Sequence, residues 1–485
     1  MVRTETSFTT NDKHLQALYD GARDVLLSSV RSFGDRNVLT EGTHSDTLSL
    51  SSSILGAATL ARYDLEAAQD TVKAFLATVS KDGQLADSIR RQNGQIHLSY
   101  EKLTDFCFTE EAIGLYYLLR KKDAAYLESM LRVLLDFDAY LWEQHDLNFD
   151  GCLELFHPSD AEDEDSYRFS AVTAISPTEK HNSFPFPVES ADLMACDVSI
   201  RRAIAQIYSL KNDAENAKSW TLKAINVQTQ LKKLHWDEGA SACFDRDARG
   251  NMIKVLGINN LYMMYHGGFD PEMAGAFCRR HLERTDGFFT ALPLPTVSVS
   301  DRRFGNRQGD RKTSGLAYRR AMDALAKYEQ LPLLRQMGEK LLSAVNETLS
   351  FSEHYDVFTG EPSGKEGSMS TASAVLETIA YFYGIRPHLD RLLWGAAGHR
   401  EPFSSEHCFH WGSDEYKLCC ESQTAAGYLN GEPLFTVSSG VQVITDLYGN
   451  DPKIANMMNE TIDCIFVYRN RTFSFTLAPG EVRKM

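Results

Sequence analysis

Ser129-Met130-Leu131-Arg132-Val133-Leu134-Leu135 spaces its apolar side chains so that they close one face of an α-helix, where a half-buried strand would alternate them. The same periodicity appears upstream in His14-Leu15-Gln16-Ala17-Leu18-Tyr19 and recurs downstream over 200–210, 214–234, 271–282, 314–328, 332–349 and 370–384. Pro271 and Pro332 suit first helical positions, because a missing N–H costs nothing in the first turn. Long polar loops, notably 145–190 and 285–313, separate these helices, and loops of that length tend to carry function. Past about residue 390 the pattern changes. Leu434-Phe435-Thr436-Val437, Val441-Gln442-Val443-Ile444 and Phe473-Ser474-Phe475-Thr476-Leu477 read as strands bounded by turn residues. Paired helices without a fixed tandem repeat fit a closed ring of helical hairpins, and a helical bundle with functional loops at one end satisfies the same periodicity.

The chain has 485 residues, 43% of them hydrophobic and 24% charged, enough for a large core. A net charge of −16 argues against binding nucleic acid, whose phosphates need clustered Lys and Arg. The polar start, Met1-Val2-Arg3-Thr4-Glu5-Thr6, lacks the apolar core of a signal peptide, and no run is long enough to span a membrane, so the expected location is the cytoplasm. Nine scattered cysteines read as reduced thiols.

Chemistry concentrates in Asp146-Leu147-Asn148-Phe149-Asp150-Gly151-Cys152-Leu153-Glu154-Leu155-Phe156-His157-Pro158 and the following Ser159-Asp160-Ala161-Glu162-Asp163-Glu164-Asp165-Ser166-Tyr167-Arg168-Phe169. Five carboxylates fall between 160 and 165. Crowded carboxylates repel when ionised, so one of them can keep its proton and act as a general acid; a solvated acidic loop is the plainer reading.

This stretch resembles the loop of the trehalase-like and family 63 glycoside hydrolases, including mannosylglycerate and glucosylglycerate hydrolases: D-x-D-G-D-G-L, then H-P, then E-S-G-x-D-N-S-P-R-W. Laid on without a gap from His157-Pro158, the family's catalytic acid falls on Glu164, with Asp165, Ser166 and Arg168 at the Asn, Ser and Arg positions. Glu replaces Asp here, and Asp163 and Asp165 stand one residue to either side. Phe351-Ser352-Glu353-His354-Tyr355-Asp356-Val357-Phe358-Thr359-Gly360-Glu361-Pro362 is similar to the family's E-x-Y-D-P-x-T-G-E-P, in which the Glu is the general base. The resemblance thus implies an inverting glycosidase with Glu164 and Glu353 as catalytic pair, the two carboxyls roughly 6.5 to 9.5 Å apart across a pocket. Leu234-His235-Trp236-Asp237-Glu238 with Phe244-Asp245-Arg246-Asp247 resembles another block of the group and supports its fold. The implied architecture is mainly α: an (α/α)6 toroid over 1–390 with a small antiparallel β appendage over 391–485.

Asp46, in Thr43-His44-Ser45-Asp46-Thr47, lies where relatives carry a pocket element, as a sugar ligand or as the N-cap of a helix from 48 to 63. Asp163, Asp165, Arg168, Tyr355 and Arg311 complete the candidate substrate-binding set. The family's platform tryptophans are missing from Gln308-Gly309-Asp310-Arg311-Lys312-Thr313-Ser314 and Met369-Ser370-Thr371-Ala372-Ser373, and Arg311 with Lys312 hints at an anionic moiety in the ligand. No cofactor or catalytic metal is expected. Asp146-x-Asn148-x-Asp150-Gly151 opens like a calcium loop, but His157 stands at position twelve, and the spacing of His407, His410, Cys419 and Cys420 is not a standard zinc pattern. The expected partner is a small carbohydrate. Two alternatives remain: an epimerase or isomerase using a pocket histidine pair drawn from His44, His157, His181, His266, His354 and His410, and a toroid that binds carbohydrate without turning it over.

Overall fold

A computed structural model describes residues 2–104, 106, 108–169, 186–398 and 402–485. Among them are twelve α-helices in six successive pairs: α1 (Lys13–Ser28) and α2 (Ser52–Leu60), α3 (Leu65–Leu76) and α4 (Glu110–Leu118), α5 (Ala124–Gln144) and α6 (Ala191–Leu210), α7 (Ala214–His235) and α8 (Asn259–Tyr265), α9 (Pro271–Phe277) and α10 (Gly315–Lys327), α11 (Leu331–Thr348) and α12 (Met369–Tyr383). The even-numbered helices pack each on the next, and α12 packs back on α2, which closes an inner ring. Odd-numbered helices lie outside, α1 against α12 and α11, α3 against α2, α7 along α6. The closed ring, not a bundle, is therefore the arrangement of the helical pairs.

Local chemistry sets the direction of every pair. Short turns lead from inner to outer helices, and Asp64, Asp123, Asp213 and Asp270 are among the residues whose side chains accept from the first turn of the helix that follows. Long segments lead back into the inner helices, and neighbours among them are stitched together all the way round. Strand Thr47–Ser49 pairs with Ser88–Gln92, the Leu103 amide donates to the Asp160 carbonyl at 2.7 Å, and Val188–Glu189 meets Asp245–Arg246. Gly257 bridges to Val297, Lys312–Ser314 pairs with His354–Asp356, and Gly42 bridges to Ser368. All six inner helices consequently begin at the same end of the ring. Close approach of α10 and α12 requires Gly315, where a Cβ would lie 2.3 Å from the Thr371 Cα.

The helix expected from 48 to 63 is shorter. Thr47–Ser49 is a strand, α2 starts at Ser52 behind Ser51, and Asp46 caps nothing; backbone pairing with Ser88–Gln92 takes residues that the hydrophobic pattern had assigned to the helix. Pro332 occupies the second position of α11, and a π turn over Cys278–Leu282 extends α9.

Beyond α12 two antiparallel sheets pack face to face. Trp394 fills the space between them, its ring 5.4 Å from Phe435 and 6.2 Å from Tyr416. The seven-stranded sheet takes one edge from the N-terminus: Thr4–Thr10 pairs along Ser404–Trp411. Residues 4–10 thus add a strand to a sheet that a boundary drawn along the sequence assigns to the last hundred residues. His407 and Cys420 point inward while Cys408, His410 and Cys419 face out, so strand alternation keeps these side chains from converging on one ion. Eight described cysteines are free thiols. Among the described residues no helix is long and apolar enough to cross a membrane.

Candidate active site

At the end where the inner helices begin, the acidic loop is folded by its own side chains. Asp160 turns inward and accepts the amides of Phe156 and His157 at 2.7 and 2.8 Å, and Ala161 is fully buried behind it. Glu162 is held by Arg320 of α10. Asp163 is held by Arg168, which is 2% exposed and also meets Asp192 at 3.0 Å and Asp245 at 2.7 Å. One guanidinium among three carboxylates cannot satisfy all of them. Burial pushes Asp245 up to about 6 even against Arg168, and raises Asp163 in the same contest, whereas Arg168 overcomes burial at Asp192 and holds it below the usual carboxylate range. The side chains of Glu164 and Asp165 are exposed, and among the described residues neither makes an ion pair.

Across the ring end, Glu353 sits just before the strand His354–Asp356, exposed, with its carboxylate 3.4 Å from the Lys365 amide. Glu366 closes the turn behind it, accepting the Phe351 amide and the Ser352 hydroxyl, each at 2.8 Å. Glu41 faces the same space. Burial raises its carboxyl, Lys365, Ser49 and Lys102 pull it down, and Glu353 adds to the rise. Two carboxylates and two lysines from three different loops therefore share the base side of the site.

Hydrogen bonds connect the two sides. The Tyr167 hydroxyl donates to Asp310 at 2.8 Å, Arg307 stacks over the Tyr167 ring and donates to the Asp165 carbonyl, and the segment ends in Lys312–Ser314, the strand paired with His354–Asp356. The acidic loop, the basic loop at 300–313 and the Glu353 turn form one continuous wall.

The sequence candidates occupy different places on it. Asp46 lies on the rim in a 2.7 Å ion pair with Arg91. Arg311 is half exposed, 3.2 Å from Asp356 and over the Phe358 ring. Arg168 is buried beneath the acidic loop and holds it from below. Tyr355 is 1% exposed; its hydroxyl donates to the Ser350 carbonyl at 2.5 Å and accepts from the Ser352 amide, so it shapes the turn and presents no surface to a ligand. Of the histidines, His266 is buried against Cys196 and Ser199, His157 holds Ser159, and His410 lies on the outer face of the seven-stranded sheet. His181 lies outside the described residues. Sequence reasoning missed Glu41, Lys102, Lys365 and the Glu162–Arg320 pair, because each becomes part of the site through pairing between loops far apart in the chain.

Cys152, Glu189 and His235 form a buried group whose ligand-type atoms lie within 4.8 Å of one another. Burial pushes the Cys152 thiol up and His235 down to about 4, the His235 Nδ1 faces the Phe244 carbonyl at 2.9 Å, and Arg246 stands 2.8 Å from Glu189. A protonated thiol beside a guanidinium-paired carboxylate is the chemistry of a hydrogen-bonded core. The segment that opens like a calcium loop turns its oxygens on itself: Asp146 and Asn148 accept the Asp150 amide at 3.1 and 3.0 Å.

Comparison with known proteins agrees with the ring of helical pairs. A mannosylglycerate hydrolase from Thermus thermophilus, of family 63 and solved with glucose, shares the fold with a TM-score of 0.61 at 18% identity, over 74% of this chain and 99% of that one. The neutral trehalase of Saccharomyces cerevisiae gives 0.52 at 14% identity, over 74% and 80%. An α-L-rhamnosidase from Dictyoglumus thermophilum gives 0.55 at 10% identity over 99% of this chain and 50% of its own. No curated protein sequence matches. The profile of the mannosylglycerate hydrolase MGH1-like glycoside hydrolase domain matches residues 47–371, which include the acidic loop, the basic loop at 300–313 and the Glu353 turn but not Glu41 or Asp46. The chain belongs to this family of glycoside hydrolase domains.

Proposed function

We propose that the protein hydrolyses a small glycoside or short oligosaccharide with inversion, Glu164 acting as general acid and Glu353 as general base. The observation that carries this reading is the continuous wall of paired loops, which joins the acidic loop, with its exposed Glu164, to the turn that carries the exposed Glu353. Of the carboxylates in that loop, Asp160 is spent on backbone amides, Glu162 on Arg320 and Asp163 on Arg168, which leaves Glu164 and Asp165 exposed, and the register laid on from His157-Pro158 gives Glu164 the role of proton donor to the leaving oxygen. Glu353 takes a proton from water on the far side of the sugar ring, with Lys365 fixing the carboxylate through its amide. Asp46, Asp165 and Arg311 serve as rim ligands. Arg168 and Tyr355 position the loops and do not touch sugar. Lys102, Lys365 and Arg311 suit an anionic group on the substrate, in keeping with the glycerate in the name of the mannosylglycerate hydrolase that shares the fold.

The test is a screen of wild type and Glu353→Gln against glucosides, mannosides, galactosides and uronic-acid glycosides, with the released anomer followed by proton NMR. Release of the inverted anomer, lost in Glu353→Gln and in Glu164→Gln, supports the reading. Retention of configuration, or turnover that survives Glu353→Gln, refutes it.

A further inference from the structure

A cavity of about 450 Å³, with charged residues on its floor, lies at the other end of the ring, where the inner helices finish and the strands Arg391–Ala396, Val441–Asp446 and Lys453–Asn456 cover them. It is within the size range of small-molecule sites. The length of α10, about 20 Å at 1.5 Å per residue, separates Lys327 at this cavity from Ser314 at the catalytic end.

The cavity floor is an odd-numbered charge network. Arg62 and Arg386 share Glu377, with Arg386 Nε donating at 2.5 Å, and Arg386 and Arg319 share Asp323. Three guanidiniums thus face two carboxylates. Arg62 is 2% exposed and Arg319 3%, yet Arg62 Nη1 and Arg319 Nε have no hydrogen-bond partner within the protein. Gln442 Nε2, also 2% exposed, is unpartnered from the covering sheet, as is Arg391 Nη1. Four buried donors along one cavity are costly to leave open, since each forfeits its bonds to water. The helix C-termini here take up part of the surplus positive charge but supply no acceptor to these groups. Glu111, on the same wall, does not cancel the surplus fully at neutral pH, because burial raises its carboxyl to about 7.

We infer that this cavity binds a small organic anion whose carboxylate or phosphate oxygens accept from Arg62, Arg319, Arg391 and Gln442, at a site separate from the glycoside pocket. Gly114 of α4 supplies a clean test, for it lines the cavity and a Cβ there would meet nothing within 4 Å. Gly114→Leu fills the space and also favours the helix.

The experiment titrates the full chain with inorganic phosphate and, separately, with gluconate, by calorimetry at constant ionic strength. The result expected is saturable binding of one anion per chain by at least one probe, weakened roughly tenfold or more in Arg391→Gln through loss of a charge-assisted hydrogen bond, abolished in Gly114→Leu, and intact in Glu353→Gln. Should Gly114→Leu fail to fold, Arg391→Gln and Lys453→Gln decide the matter. Absence of saturable binding of either probe by wild type overturns the inference. So does binding that is unchanged in Gly114→Leu and in the Arg391 and Lys453 variants, or binding lost in Glu353→Gln.

Discussion

Replacing Arg168 with Met removes the guanidinium that holds Asp163, Asp192 and Asp245 together beneath the acidic loop. Met occupies a similar volume, so lost packing is small and the effect is electrostatic. Asp192 is 4% exposed and Asp245 1%, and breaking a buried pair from one side costs about 3–5 kcal/mol, because the other charge stays behind uncompensated. The sign of the pH dependence follows. In the wild type Arg168 holds Asp192 below its ordinary range, so its contribution is present above about pH 4 and is lost only on strong acidification. Without Arg168, burial raises the folded-state value above the unfolded one, and that carboxyl then costs stability as pH rises above about 4. The deficit of the variant shrinks by about 1.4 kcal/mol per pH unit for one such carboxyl, or roughly 3 kcal/mol between pH 7 and pH 5. Urea unfolding followed by far-ultraviolet circular dichroism at pH 7 and pH 5 measures both quantities. An Arg168→Met chain as stable as wild type at pH 7, or one with the same deficit at both pH values, refutes the reasoning.

Gly315→Ala drives a methyl into the α12 backbone at Thr371 and lowers stability by about 1–3 kcal/mol, read as a reduced melting temperature with the ring's helical signal intact below it. Burial raises Glu111 to about 7, so the wild-type chain loses stability through this group as pH rises from about 4.5 to 7; Glu111→Gln flattens that part of the profile by about 1.4 kcal/mol per unit in urea titrations. Tyr167→Phe cuts the tie to Asp310, worth about 1 kcal/mol, and increases amide exchange in both 158–169 and 300–313 while the melting temperature stays near wild type. Equal protection of both loops in that variant counts against a shared wall.

Much of the ring was legible along the chain. The helices over 214–234, 314–328 and 370–384 appear within a few residues of their expected limits, since each carries its own apolar stripe, whereas the helix expected over 200–210 already starts at Ala191 behind the capping Ser190. The three strand segments after residue 430 are strands as well, for alternation and β-branched residues are local signals. The shortened α2 shows the limit, because its first turn was surrendered to a strand partner some forty residues away.

The helices, the late strands and the two loops rich in carboxylates follow from residues a few positions apart along the chain. How charges at 41, 102, 162, 168, 192, 245, 320, 353 and 365 are shared out follows from the folded ring alone. It buried Tyr355 and Arg168, exposed Glu164 and Glu353, and laid the N-terminal strand against Ser404–Trp411. Burial and ion pairing are properties of neighbours in space, and closing the ring is what makes neighbours of loops far apart in the chain, such as those of Gly42 and Ser368.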